Sequence, residues 1–403
     1  MANGGSTSAT DAVTRGEKPA AALRRRNAGL DYLRSLSIAV VLANHALIGF
    51  FFGPGLVRPE GAIAVLSASA VIAIEWLFVL SGFLIGAMMI RSFDKQGRNW
   101  WGGAKDFWLR RWFRTIPNYY FFILVNALLV WLGVAEGSFA ASYLVFSQNL
   151  AWQERVPHFF GESWSLALDE WFYLTLPFMV GLLGLMTLGK KHAFFLSAAL
   201  LLLMPTAGRW LHATPAEFME WDAQIRRVTI YHLDATGWGV LAAAINRWYP
   251  QWWRARSGAK AALGLVLMLA GLLAVMLLVR PHMAGAELRK LCSVFSITLM
   301  GLGTFLAMPW ITQKLQGGVQ LRRWTAHLSD YTYSIYLAHF PILYLFLHFC
   351  QINAARSPQY LAAVVAGWLT ATLAVSACIF HGFEKPVSDL RERFTRRVDA
   401  SPF

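Results

Sequence analysis

"LDYLRSLSIAVVLANHALIGFFF", residues 30–52, is long and apolar enough to cross a bilayer, apart from two residues. A spanning helix needs roughly 20 apolar residues, and this run supplies them while carrying Arg34 and His45. An ionisable side chain at the bilayer centre costs about 2.5–3.5 kcal/mol on insertion scales, so its presence there is a functional hypothesis. Arg34 and His45 are eleven residues apart, three helical turns plus about 20°, so they share a face. They cannot touch, being about 16 Å apart along the axis. Asp31, three residues before Arg34, is a candidate partner for it at the helix start. The structural alternative is that Arg34 snorkels and His45 satisfies a backbone carbonyl.

Similar runs recur outward from this one. Ten are expected as spans, near 32–53, 62–90, 116–134, 163–187, 193–211, 228–247, 261–279, 291–310, 328–350 and 359–383. The fourth and sixth are the weakest because each carries acidic residues. Of 403 residues 57% are hydrophobic and only 14% charged, with a mean hydropathy of +0.45, which excludes an ordinary soluble domain. The expected fold is therefore all-α, a polytopic membrane bundle of about ten transmembrane helices, with membrane lipid as its solvent.

The formal charge of +14 does not point to nucleic acid. Basic residues concentrate in short loops: 26 of the 36 fall in the tails and one alternate set of loops, 9 in the other set, and Arg34 inside the first span. By the positive-inside rule both termini are expected in the cytoplasm. Residues 1–27, polar and ending in Arg24, Arg25 and Arg26, read as a disordered basic tail. They do not read as a signal peptide, because the apolar run that follows exceeds 20 residues and has no cleavage site after it. Residues 28–386 read as one membrane domain and 387–403 as a C-terminal tail. Cys292, Cys350 and Cys378 stand singly in apolar segments, with neither metal-ligand spacing nor an evident disulfide partner.

Six further stretches carry polar chemistry. "EWLFVLSGFLIG", residues 75–86, puts Glu75 mid-membrane, where a carboxylate needs a proton or a partner; Ser81–Gly82 reads as a close-packing contact. "DFWLRRWFRTIPNYY" places Arg110, Arg111 and Arg114 in a loop before the third span, at spacings that share a face. Guanidinium groups suit bidentate phosphate binding, and a coenzyme A donor carries three phosphates; attachment of the loop to anionic lipid fits that stretch equally well. In "GESWSLALDEWFYLTLPF", Glu162 or Ser163 can cap the helix. Asp169 lies about 10 Å inside it, at nearly the depth of His45, with Glu170 beside it. A histidine and a carboxylate at one depth on different helices are a candidate acid–base pair. "IYHLDATGWGVLAA" adds His232 and Asp234, and "SDYTYSIYLAHFPIL" adds His339. In "HGFEKP", Glu384 and Lys385 read as a surface salt bridge.

In this order, "LDYLRSLSIAVVLANH", "EWLFVLSGFLIG", "FWLRRWFRTIPNYY", "SWSLALDEWFYLTLPF", "HLDATGWGVLAA" and "YTYSIYLAHFPIL" resemble the acyltransferase 3 family of integral membrane O-acyltransferases, over roughly residues 28–386. The resemblance implies that Arg34 and His45 are signature residues and that Arg110, Arg111 and Arg114 match the family's arginines before the third helix. It also shows departures: Glu75 stands where Asp is usual, Asp169 where Glu is usual, and His232 where Arg is frequent. Some members carry a fused esterase-like SGNH domain; none is expected here.

The resulting expectation is transfer of an acyl group, acetyl above all, from acyl-CoA (acetyl-CoA) to a hydroxyl of a carbohydrate such as a cell-surface glycan, in a bacterial inner membrane. His45, Asp169 and Glu170 are the expected catalytic residues. Arg34, Arg110, Arg111 and Arg114 are expected to hold the donor, and Glu75, His232, Asp234 and His339 to line the acceptor site. His45 acts as general base with Asp169 fixing its tautomer, or carries the acyl group itself. No metal and no permanently bound cofactor is expected. The rivals are a proton-coupled transporter, which also needs intramembrane histidines and carboxylates, and a catalytically silent scaffold.

Overall fold

The computed structural model describes residues 26–57, 61–96, 100–154, 156–186, 189–353 and 356–391. Most of the two expected tails, residues 1–25 and 392–403, lies outside them. Ten long helices follow in chain order: α1 (Ala28–Leu47), α2 (Gly61–Gln96), α3 (Trp100–Trp131), α4 (Ser163–Leu185), α5 (Gly189–His212), α6 (Asp234–Trp248), α7 (Ser257–Val279), α8 (Ala286–Lys314), α9 (Val319–Cys350) and α10 (Pro358–Ile379). Among the described residues, nine helices are long and apolar enough to cross a membrane.

The sixth expected span is the exception. α6 has 15 residues, about 22 Å at 1.5 Å per residue, short of a ~30 Å hydrocarbon core. Residues 222–231 ahead of it form a π turn and a 3-10 turn instead, where Val228, Thr229 and Ile230 are β-branched and the Arg226–Arg227 pair folds back on Asp222. Irregular backbone is tolerated at such depth only when protein satisfies it. Here Thr229 and Ile230 donate to the carbonyls of Asn149 and Leu150, and Asn149 Nδ2 donates to those of Arg227 and Trp164.

The third span also departs from expectation. α3 begins well before residue 116, so Arg110, Arg111 and Arg114 stand within the helix, about three turns from its start, not in a loop.

Small residues set the closest approaches. α2 and α6 run parallel, with Gly82 against Thr236 and Gly239. A Cβ at Gly82 would meet the Thr236 carbonyl oxygen at 2.0 Å, and one at Gly239 would meet that of Val79 at 2.2 Å. Such contacts allow backbones to pack where lipid offers no hydrophobic drive between helices. α7 and α8 form an antiparallel hairpin on the same principle, Gly264 facing Gly303. The buried apolar residues fall into two cores, one among α2 and α4–α8 with the starts of α1 and α3, the other among α1, α3, the start of α4, α9 and α10 with Ala73, Ile74 and Phe78 of α2. The polar site lies where the two meet.

Candidate active site

α1 and α9 lie parallel and meet rung by rung. Ser35 Oγ donates to the Thr325 carbonyl at 3.0 Å, Arg34 Nη1 to Ser329 Oγ at 2.8 Å, and Gly49 packs on Leu343. Between these rungs His45 Nδ1 stands 2.9 Å from His339 Nε2, the rings nearly coplanar at an 18° angle. The face shared by Arg34 and His45 is thus the face turned to α9. His339 is fully buried, whereas His45 is half-exposed. Trp368 of α10 donates to the His339 carbonyl, and Phe340 closes on both imidazoles.

Arg34 opens onto a cavity of about 190 Å³ between α1, α2, α3, α4 and α9. Arg111, Arg114, Asp169, Glu170 and Tyr173 share its polar end, while Ile74, Leu77, Phe78 and Phe146 make the rest apolar. Asp169 accepts from Ser81 Oγ at 3.1 Å, Glu170 accepts from Thr115 Oγ1 at 2.6 Å, and the Arg111 guanidinium lies 5.6 Å from the Tyr173 ring centre. Tyr336 lines the same cavity, bonds Ser165 Oγ at 2.6 Å, and places its ring 5.6 Å from that of His339. It is the link between the arginine cavity and the histidine pair.

The expected His45–Asp169 pair is not made: His45 meets His339 and Asp169 meets Ser81. Counting depth from Glu162 fails because the start of α4 is not at a surface. Glu162, Ser163 and Trp164 are buried beneath the 133–162 segment, so Asp169 lies deeper than supposed, among the arginines. Arg110 stands on the same helix but does not line the cavity with Arg111 and Arg114. Asp31 pairs with Arg26, which also reaches Asp330, and not with Arg34. Ser81 is polar lining, not merely a packing contact, although Gly82 beside it is one.

All four expected acceptor residues are closed off from both the cavity and solvent. Glu75 and His232 bond each other at 2.6 Å with neither exposed, and His232 Nδ1 stands 2.6 Å from the Arg226 carbonyl. Asp234 takes a two-point ion pair from Arg209, which is itself fully buried and also reaches Thr298 and the carbonyls of Val294 and Tyr231. His339 serves His45 and touches no open space. Glu384, expected in a surface salt bridge, is buried and accepts from Asn118 and Ser334.

On the far side of His45 from Arg34, the 133–162 segment and residues 222–227 build a second polar cluster that sequence reasoning missed. Tyr143 Oη donates to Glu154 Oε1 at 2.6 Å, His158 stands 3.4 Å from Glu154, and Arg227 and His158 approach at 3.5 Å. Asp222 binds Arg226 and Arg227, and Arg226 lies 4.6 Å from the Trp164 ring centre. Burial pushes the Glu154 carboxyl up to about 7, against the pull of Tyr143's hydroxyl and Arg227. Burial pushes Asp222 up too, but its two guanidinium partners outweigh it and hold the group below the usual range. The signal for these residues was weak, since charges in loops read as solvated.

The acyltransferase 3 family model, described as an acyltransferase domain, matches residues 27–380. Residues of this chain are also 26% identical over 162 positions to the peptidoglycan O-acetyltransferase OatA of Listeria monocytogenes serovar 1/2a (strain ATCC BAA-679 / EGD-e). That similarity covers 37% of this chain and 23% of the relative's length. No solved structure matches. A family match over most of the chain, spanning every helix that builds the site, shows that this chain belongs to the acyltransferase 3 family.

Proposed function

We propose that the protein is a membrane O-acyltransferase that moves an acyl group, acetyl above all, from acyl-CoA to a carbohydrate hydroxyl. One observation carries the reading: an imidazole that is not fully buried is held by a buried second imidazole, and Tyr336 joins that second imidazole to a cavity whose polar end is lined by three arginines. In the tautomer in which His45 Nδ1–H donates to His339, His45 Nε2 holds the lone pair. It takes the acceptor's hydroxyl proton as the oxygen attacks the thioester carbonyl. A C–O bond forms, the C–S bond breaks, and the imidazolium returns the proton to the coenzyme A thiolate. His339 then stands where a carboxylate stands in hydrolase triads, orienting the base and stabilising its charged form.

Arg34, Arg111 and Arg114 suit the donor's anionic groups, while Asp169 and Glu170 keep that end of the cavity from being purely cationic. The cavity is too small for a whole coenzyme A, so it fits the thioester end, with the nucleotide outside it. In this reading the arginine end faces the cytoplasm, both termini lie there, and the membrane is a bacterial inner membrane. The relative's name assigns it a peptidoglycan substrate, and a cell-surface glycan is the corresponding acceptor here. Family membership speaks against the transporter.

The test is turnover of radiolabelled acetyl-CoA by detergent-purified protein with a glycan panel, wild type beside His45→Ala. Coenzyme A release and label transfer in the wild type alone support the reading. Equal rates in both sink the role of His45, and no coenzyme A binding at all sinks the donor.

A further inference from the structure

Glu162 is the oddest side chain in the molecule. It is 1% exposed, and neither carboxylate oxygen has a hydrogen-bond partner. It precedes α4 at the position where a side chain commonly caps a helix, yet it caps nothing. Burial pushes its carboxyl well above the usual range; the residue's own backbone N–H pulls the other way, and the nearby Glu154 adds to the rise. A buried polar group without a partner costs stability, and a native structure that retains one needs a reason for it.

Its surroundings supply the reason. A side-chain atom built on Gly161, the preceding residue, would lie 3.7 Å from the Tyr344 hydroxyl, and Tyr344 also senses the charges of Glu162, Glu154 and Arg227. Tyr344 packs on Phe340 at 5.8 Å between ring centres, and Phe340 packs on His45 at 4.5 Å. Gly161, Tyr344, Phe340 and His45 are all only half-buried. From His45 outward there is thus an aromatic face of half-buried rings, and the chain that meets its far end at Gly161 carries the unsatisfied carboxyl on the next residue. This is the side opposite the arginine cavity.

We propose that Glu162 is an acceptor-binding residue: it hydrogen-bonds a hydroxyl of a polyol, a sugar ring lying on the Phe340–Tyr344 face, so that another hydroxyl reaches His45. The inference rests on the acyltransferase reading and deepens it by assigning the acceptor its own entrance. A carboxyl group suits the task because its oxygens accept hydroxyl hydrogens, and the protonated form also donates. Aromatic rings suit the apolar face of a sugar.

The experiment compares wild type, Glu162→Gln and Glu162→Leu in detergent, by thermal unfolding and by acetyl-CoA turnover with N-acetylglucosamine oligomers and glycerol as acceptors. A ligand-binding carboxyl kept at a cost to the fold predicts that Glu162→Leu melts about 2 °C or more higher than wild type. It also predicts an acceptor KM at least tenfold higher with the KM for acetyl-CoA unchanged, and a milder defect in Glu162→Gln. A melting temperature that is unchanged or lower in Glu162→Leu makes Glu162 structural and overturns the proposal, as does an unchanged acceptor KM. If the wild type turns over no acetyl-CoA, the acyltransferase reading fails by itself, while the melting comparison still decides whether Glu162 is held unsatisfied for a ligand.

Discussion

Two sets of ionisable residues cross the middle of this molecule, and they differ in who answers them. Between α2, α5, α6 and α8, Glu75 meets His232 and Arg209 meets Asp234, each pair enclosed within the protein, with only Glu75 Oε2 of these groups left without a bond. Between α1, α3, α4 and α9, the arginines and carboxylates face a cavity, and His45 is only half-buried. The cost of placing charge in a membrane applies to both sets. A buried pair is weak grounds for function and is best read as specifying how helices assemble. A group held in place but left with a free side is where a substrate can act.

Five predictions break or sharpen that contrast. His45→Ala has the largest expected effect, a loss of about 10²–10⁴ in turnover, the range of a positioned general base, with melting temperature nearly unchanged. Asp234→Ala acts in the opposite sense: it strands Arg209 and costs about 3–5 kcal/mol of stability, seen as loss of monodisperse protein. Adding Arg209→Met to Asp234→Leu recovers most of the folded yield, because an apolar pair replaces an ion pair without leaving a charge behind. If the single and double variants fold equally badly, the pair is more than an assembly device.

His339→Ala falls in between. It leaves His45 in place but removes its orienting bond, worth about 1–3 kcal/mol, so kcat drops roughly tenfold to a hundredfold with the KM for acetyl-CoA unmoved. Arg34→Lys keeps the charge and loses the planar fork; the KM for acetyl-CoA rises about tenfold, and kcat holds. The smallest effect concerns pH. Glu154 titrates near 7 when folded against 4.5 ordinarily, so the folded state binds the extra proton and stability falls as pH rises from about 4.5 to 7. Glu154→Gln flattens that part of a melting-temperature profile.

Much of the membrane architecture is readable from apolar runs alone, because a run of twenty such residues has few other uses. The eleven-residue spacing of Arg34 and His45 likewise reports a common face. What that face meets is not readable. His339 lies 294 residues from His45 and Ser329 lies 295 from Arg34, and only the parallel packing of α1 on α9 joins them. The His45–Asp169 expectation failed because depth was counted from an end of α4 that another segment buries. Arg209 escaped notice because an arginine near a helix end looks topogenic, and its partner Asp234 belongs to the one helix too short to span. Glu162 was in view as a helix cap, the commonest use of an acid at that position.

The parallel seam of α1 and α9 also sets an order of events during synthesis. Arg34 leaves the ribosome 295 residues before Ser329. At about 5–20 residues per second the gap is roughly 15–60 s. Throughout that interval the first helix holds an arginine and a histidine whose final neighbours do not yet exist. A nascent chain cut short before α9 leaves both residues without those neighbours, and that gives membrane quality control a chemical mark by which to tell an unfinished copy from a finished one.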